Sequence, residues 1–125
     1  MVSMPETREP SIFTRIVARE IPADIVFESD TVIAFRDIHP QAPVHLLVVP
    51  KTEKYRNVSE LAAGDPALLA DIVTTARILA EEHAGGDFRL VFNEGESAGQ
   101  TVFHVHAHLL GAGPDGALAE GTLGQ

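Results

Sequence analysis

Residues 104–108 read His-Val-His-Ala-His, and this alternation restricts the local backbone more than any other stretch of the chain. Successive side chains of a β-strand point to opposite faces, whereas alternate residues of a helix point in different directions. On a strand, His104, His106 and His108 share one face while Phe103, Val105, Ala107 and Leu109 share the other. Neighbouring imidazoles then start about 6.5 Å apart at the backbone, twice the rise of a strand. A polar, glycine-containing turn at 97–101 precedes the run, and Leu109 and Leu110 continue it. The spacing predicts a strand over 102–110.

Three histidines on one face admit three readings. As metal ligands, alternate imidazoles can supply two positions of a zinc site, but three in succession fan out along about 13 Å of backbone, too far for all to meet one ion. As an inert face, they would repel one another on protonation, and histidine is not a β-favoured residue. As catalysts, a neutral imidazole nitrogen can attack phosphorus, forming a phosphoramidate that water later cleaves. Flanking imidazoles can then donate hydrogen bonds to the non-bridging oxygens. Gly99, Gln100 and Thr101 add backbone N–H, amide and hydroxyl donors beside the first histidine.

The rest of the chain narrows the class. Its 125 residues are 45% hydrophobic, enough for one compact domain. A formal charge of −9 argues against nucleic-acid binding, which needs clustered Lys and Arg. An anionic ligand would have to be held by local, neutral donors. The absence of cysteine excludes disulfides, thiolate zinc sites and thiol catalysis. No apolar stretch approaches a membrane span and the first residues lack a signal-peptide pattern, so the expected location is the cytoplasm, with no membrane partner. No internal repeat is evident.

Residues 1–10, with two prolines and mixed charge, read as a flexible arm. Ser11 can cap a short helix through Arg19, with Ile12, Phe13, Ile16 and Val17 as its apolar stripe. Strands are predicted at 24–28, 31–36 and 44–49, the last a nearly unbroken apolar run that includes His45. Asp65 and Pro66 open the longest helix, whose apolar residues recur from Leu68 to Ala80 until Gly85-Gly86 stops it. Residues 88–93 and 102–110 complete about five strands. The order predicts an α+β domain: an antiparallel sheet, one long helix and a short N-terminal helix, with the helices gathered on one face. The domain is expected over 11–111, and 112–125 as a partly disordered tail.

At the histidine run the chain resembles the histidine-triad (HIT) family, whose signature is His-φ-His-φ-His-φ-φ with φ apolar, here His104-Val-His-Ala-His-Leu-Leu110. Further matching blocks are 11–23, 34–38, 40–51, 92–95 and 99–108. The Glu-Ile-Pro-Ala and Pro-Gln-Ala-Pro segments within them point to the Hint branch of nucleotide-binding phosphoramidases. The resemblance implies an enzyme that cleaves purine nucleoside 5′-phosphoramidates through a nucleotidyl-histidine intermediate and releases AMP or GMP. Alternatives are a dinucleoside polyphosphate hydrolase using the same site, or a nucleotide-binding regulator with incidental hydrolysis.

On the same resemblance, His106 is the nucleophile, His108 a phosphate partner, His104 a supporting residue and His45 a fourth site histidine. Asp37 would bind the ribose hydroxyls and Asn93 the sugar and phosphate region. Gly99, Gln100 and Thr101 would line the phosphate pocket. Ile12, Phe13, Ile16, Ile21 and Ile38 would form an apolar slot for the purine. No cofactor is implied, and the family's homodimer, built through the long helix and an adjoining strand, makes a second copy the expected partner. Some bacterial relatives hold a structural zinc through a Cys-x-x-Cys pair and a later histidine. Ser11, Thr14 and Glu53 stand at those positions here, which implies no structural zinc. The residues after Gly111 do not match the Trp-containing tail of the animal members, so the leaving group is left open.

Overall fold

The structure is a computed structural model in which residues 9–113, 116–119 and 121 are described. Most of the expected N-terminal arm, and part of the expected disordered tail, lie outside those residues. In chain order the elements are α1 (Ile12–Val17), β1 (Ile25–Glu28), β2 (Val32–Arg36), β3 (Val44–Pro50), α2 (Val58–Gly64), α3 (Pro66–His83), β4 (Arg89–Val91), a 3-10 turn (Glu96–Ala98) and β5 (Ala107–Gly111). The five strands form one sheet in the order β1-β2-β3-β5-β4, and every neighbouring pair is antiparallel. No helix among the described residues is long and apolar enough to cross a membrane.

The apolar run at β3 is explained by burial on both sides. Val44, Leu46 and Val48 face a core shared with Leu68, Ile72, Ala76 and Leu79 of α3 and Leu61 of α2. Leu47 and Val49 point the other way, into a second core with Ile33, Phe35 and, from α1, Phe13 and Ile16. The helices are therefore not gathered on one face. The sequence reading errs because two helices share a face and the third, only six residues long, covers part of the other. Each fully buried aliphatic side chain contributes on the order of 1.5–3 kcal/mol, so the sheet is held from both sides.

Helix α3 runs as its pattern predicts. The Asp65 side chain accepts the Leu68 N–H at 3.1 Å, and Pro66 occupies the first turn. Gly86 N–H returns to the Ala80 carbonyl at 3.0 Å, a turn that Gly85 and Gly86 close with φ of 71° and 97°. Sequence reasoning misses α2, although Asn57-Val-Ser-Glu60 is a capping pattern. Asn57 Oδ1 accepts the Glu60 N–H at 2.9 Å, and Glu60 Oε1 accepts the Arg56 N–H at 2.9 Å.

The predicted strand over 102–110 is shortened to Ala107–Gly111. The ladder to β3 starts at the Val48–Ala107 pair. Before it the chain leaves the sheet and bonds to the end of β3 and the loop after it: Val105 N–H reaches the Tyr55 carbonyl at 3.0 Å and His104 Nε2 reaches the Pro50 carbonyl at 2.7 Å. Alternation survives in burial rather than in pairing, since Val105, Ala107 and Leu109 all join the α3-side core.

Candidate active site

The sheet register carries the site. Residues directly opposite one another on neighbouring strands share a face, so Phe35, Leu47, His108 and Val91 form one row across the sheet on the α1 side. The next row places His45 opposite Leu110, and the Asp37 N–H bonds to the His45 carbonyl at 3.0 Å. Asp37, His45 and His108 thereby meet although they come from three separate segments.

The hydrogen-bond partners assign the protons on neutral rings. Gln41 N–H donates to His45 Nδ1 at 2.9 Å, so the His45 proton sits on Nε2. That atom lies 3.0 Å from His108 Nδ1 and 3.4 Å from Asp37 Oδ2. His108 accepts at Nδ1 and therefore carries its own proton on Nε2. His106 is set the opposite way: its Nδ1 lies 2.9 Å from the His104 carbonyl, which can only accept, so Nδ1 bears the proton and Nε2 a lone pair. Neither His106 Nε2 nor His108 Nε2 has a hydrogen-bond partner among the described residues. The two rings, with centroids 5.2 Å apart, present an unprotonated nitrogen and an N–H donor side by side.

Electrostatics keep this pair neutral. Burial lowers the pKa of His106, with the nearby His104 adding to the effect and the His104 carbonyl and Asp37 opposing it. Burial, then repulsion from His106 and His45, pushes His108 down to about 4. His45 is lowered by burial too, against the pull of Asp37. Both ring nitrogens that lack partners are thus in their nucleophilic and donor forms at neutral pH.

A cavity of about 350 Å³ opens beside them, within the roughly 300–1,000 Å³ of small-molecule sites. His106, His108, Asp37, Gly99 and Thr101 line it, together with Ile12, Phe13, Ile16, Ile21 and Ile38. Phe13 packs edge-on to His106 with ring centroids 4.9 Å apart, so α1 joins the apolar end of the cavity to the histidines. Ile38, 82% exposed, stands on the rim.

A family model described as HIT domain matches residues 18–114. The chain belongs to the HIT family. The purine nucleoside phosphoramidase of Escherichia coli K12 is 42% identical over 112 residues, which cover 88% of this chain and 93% of that one. An uncharacterised HIT-like protein of Synechococcus elongatus is 50% identical over 104 residues, covering 82% and 90% of the two chains. The structure of a HIT family hydrolase from Clostridium thermocellum superposes with a TM-score of 0.78 at 43% identity, covering 90% of this chain and 98% of that one. The five-stranded antiparallel α+β architecture is that of the HIT fold.

Against the residues expected from the HIT resemblance, the structure brings most together but separates four from the cavity wall. His45 stands behind His108, and the buried His104 behind His106. Gln100 is 2% exposed, and its amide is committed to the chain: Oε1 accepts the Gly95 N–H at 2.9 Å, while Nε2 donates to the Arg56 carbonyl at 2.6 Å and the Val102 carbonyl at 3.1 Å. It braces the loop that presents Gly99 and Thr101. Asn93 is not on the cavity wall either, and its buried Nδ2 lacks a hydrogen-bond partner among the described residues.

Asp37, His45 and His108 offer one ligand atom each, all within 4.8 Å of one another. Their hydrogen bonds do not suit a metal. The Gln41 N–H on His45 Nδ1 leaves a neutral His45 with its proton on Nε2, the atom facing His108, so coordination there would require an imidazolate or loss of the Gln41 bond. Ser11, Thr14 and Glu53 do converge, but as a hydrogen-bonded cluster. Ser11 N–H reaches Glu53 at 2.5 Å, and the Ser11 hydroxyl meets His104 Nδ1 at 2.6 Å. Burial works to raise the Glu53 pKa, but bonds from Thr14 and Ser11 and the nearby His104 outweigh it and hold the carboxyl low.

Proposed function

We propose that this chain is a hydrolase of purine nucleoside 5′-phosphoramidates that works through a nucleotide covalently bound to His106. The observation that carries this reading is the opposite setting of the two rings. His106 faces the cavity side with a bare Nε2 because its Nδ1–H is spent on the His104 carbonyl, while His108 keeps an N–H because its Nδ1 is occupied by His45. An unprotonated nitrogen beside an N–H donor suits attack on a tetrahedral phosphorus whose oxygens gain charge in the transition state.

The purine lies among Phe13, Ile16, Ile21 and Ile38, and Asp37 accepts the ribose hydroxyls. His106 Nε2 bonds to the α-phosphorus, the phosphorus–nitrogen bond to the leaving amine breaks, and the amine takes up a proton from solvent. His108 Nε2–H and the backbone at 99–101 hold the non-bridging oxygens. Water then attacks the same phosphorus, the bond to His106 breaks, and the attacking water gives up a proton to solvent, balancing the one the departed amine took up, as AMP or GMP leaves. The orphaned Nδ2 of Asn93 supports a polar ligand group beside it, since buried amides seldom stay unpaired. A second copy of the chain is the proposed partner, seated on the outer strand β4 and on α3, where Val73 and Ile78 are exposed.

Incubating the chain with adenosine 5′-phosphoramidate tests the proposal. Turnover by the wild type and a loss of several orders of magnitude in His106→Ala is the expected result. Wild-type turnover by that variant would remove the covalent step. Faster cleavage of diadenosine polyphosphates than of the phosphoramidate would replace the proposed substrate, and nucleotide binding without turnover of either would leave a regulator.

A further inference from the structure

Behind the nucleophile lies a hydrogen-bonded chain that begins at the residue just before α1. Ser11 is the N-cap of that helix, its Oγ accepting the Thr14 N–H at 3.1 Å. The same oxygen lies 2.6 Å from His104 Nδ1, across 93 residues of sequence, and only 3.4 Å separates it from Thr14 Oγ1. On its far side the His104 ring meets the Pro50 carbonyl at 2.7 Å, and the ring is fully buried. The imidazole is thus held at both nitrogens, by α1 on one side and by the end of β3 on the other. The carbonyl of this same residue receives the Nδ1–H of His106 at 2.9 Å.

We propose that Ser11 is a positioning residue for the nucleophile: its hydroxyl locks the His104 ring, and the locked His104 carbonyl keeps His106 in the Nδ1–H form with a bare Nε2. This assignment rests on the proposed role of His106 for its catalytic consequence, but not for its geometry. A cap alone needs only an acceptor for the Thr14 N–H. The contact to a buried imidazole is a separate demand, and a second one on the same oxygen. Without the hydroxyl, the fully buried His104 ring loses its 2.6 Å contact at Nδ1, which releases it toward a new proton arrangement or position. The two ring contacts no longer suit the altered ring, and the shift of His104 that follows moves the backbone carbonyl that selects the His106 tautomer. Glu53 and Thr14 flank the Ser11 hydroxyl and hold α1 in place.

Two substitutions separate positioning from capping. Glycine is an adequate N-cap, so Ser11→Gly removes the hydroxyl while α1 keeps its cap, and circular dichroism checks that the variant folds. Ser11→Thr restores the hydroxyl. Imidazole nitrogen chemical shifts measured by NMR on the ligand-free protein report the tautomers directly. The expected result is a His106 signal of the Nδ1–H form in wild type and Ser11→Thr, shifted toward a mixture of forms in Ser11→Gly. With adenosine 5′-phosphoramidate, Ser11→Gly should lose about tenfold in kcat with KM changed less than about twofold, and Ser11→Thr should recover it. Unchanged His106 shifts in folded Ser11→Gly would overturn the assignment whatever the rate. Because the shifts need no substrate, absence of wild-type turnover would defeat the proposed reaction and leave this inference to be decided by the NMR comparison.

Discussion

His45 Nε2 lies 3.0 Å from His108 Nδ1, and this one contact decides which nitrogen of His108 is left to donate. Removing it frees His108 to take the opposite tautomer, with a lone pair facing the substrate oxygens. His45→Ala is therefore expected to lower kcat/KM for a nucleoside phosphoramidate by about tenfold or more. His45→Gln, whose amide can donate to the same Nδ1, should recover part of the loss. Steady-state turnover of the two variants checks this, with circular dichroism confirming that both fold.

The acid limb of the rate profile should sit below the ordinary histidine range. Burial lowers His106, and the nucleophile must be unprotonated, so kcat/KM should stay high as pH falls past about 6.5 and drop only at lower pH. A midpoint at or above that value would contradict the environment described for the ring.

Stability follows the same groups with a definite sign. His108 is held down to about 4 in the folded protein, whereas an unfolded histidine binds its proton near 6.5. Between these values the unfolded chain binds more protons, so stability is complete above about 6.5 and is lost as pH falls toward 4. Urea unfolding at pH 7 and pH 4.5 should differ by on the order of 2 kcal/mol from this residue.

Gln100→Ala is expected to act on the loop rather than by loss of a ligand contact. It deletes the bonds to Gly95, Arg56 and Val102, part-buried contacts whose loss costs about 1–2 kcal/mol. Thermal unfolding should show that loss, and KM for the nucleotide should rise as Gly99 and Thr101 lose their support. A direct phosphate contact would instead lower kcat with an unchanged unfolding midpoint.

Gly111 marks where α3 and β5 touch. A Cβ added there would lie 2.5 Å from the Ala84 Cβ and 3.3 Å from the Val44 Cβ, too close without moving the end of α3. Gly111→Ala should destabilise the fold by about 1–3 kcal/mol, measured by denaturant unfolding, while the nucleotide cavity on the other face of the sheet keeps its KM.

Much of the fold is legible in the residues. Pro66, the recurrence from Leu68 to Ala80 and Gly85-Gly86 define α3, and the nearly unbroken apolar run at 44–49 marks a strand covered on both faces. The capping pattern at Asn57–Glu60 was available for α2, but its short apolar content, with Leu61 as the buried residue, gives no periodicity to detect. The start of β5 was not available. His-x-His-x-His suits a ladder, yet Val105 and His104 find better partners in Tyr55 and Pro50, in the loop after β3 and at the end of that strand, which no local pattern brings near.

The chain on its own determined the strand and helix periods, the antiparallel class and the HIT signature, because these depend on neighbours a few residues apart. Tertiary structure alone decided which histidine is bare, which one donates and which residues stand behind them. The His108 ring proton is placed by His45, 63 residues away, and the His104 ring is held by partners 54 and 93 residues away. The nearer contacts of His45 with Gln41 and of His106 with the His104 carbonyl depend on the folded path of the backbone. An imidazole has two chemically similar nitrogens, and only the group that folding sets against each one tells them apart.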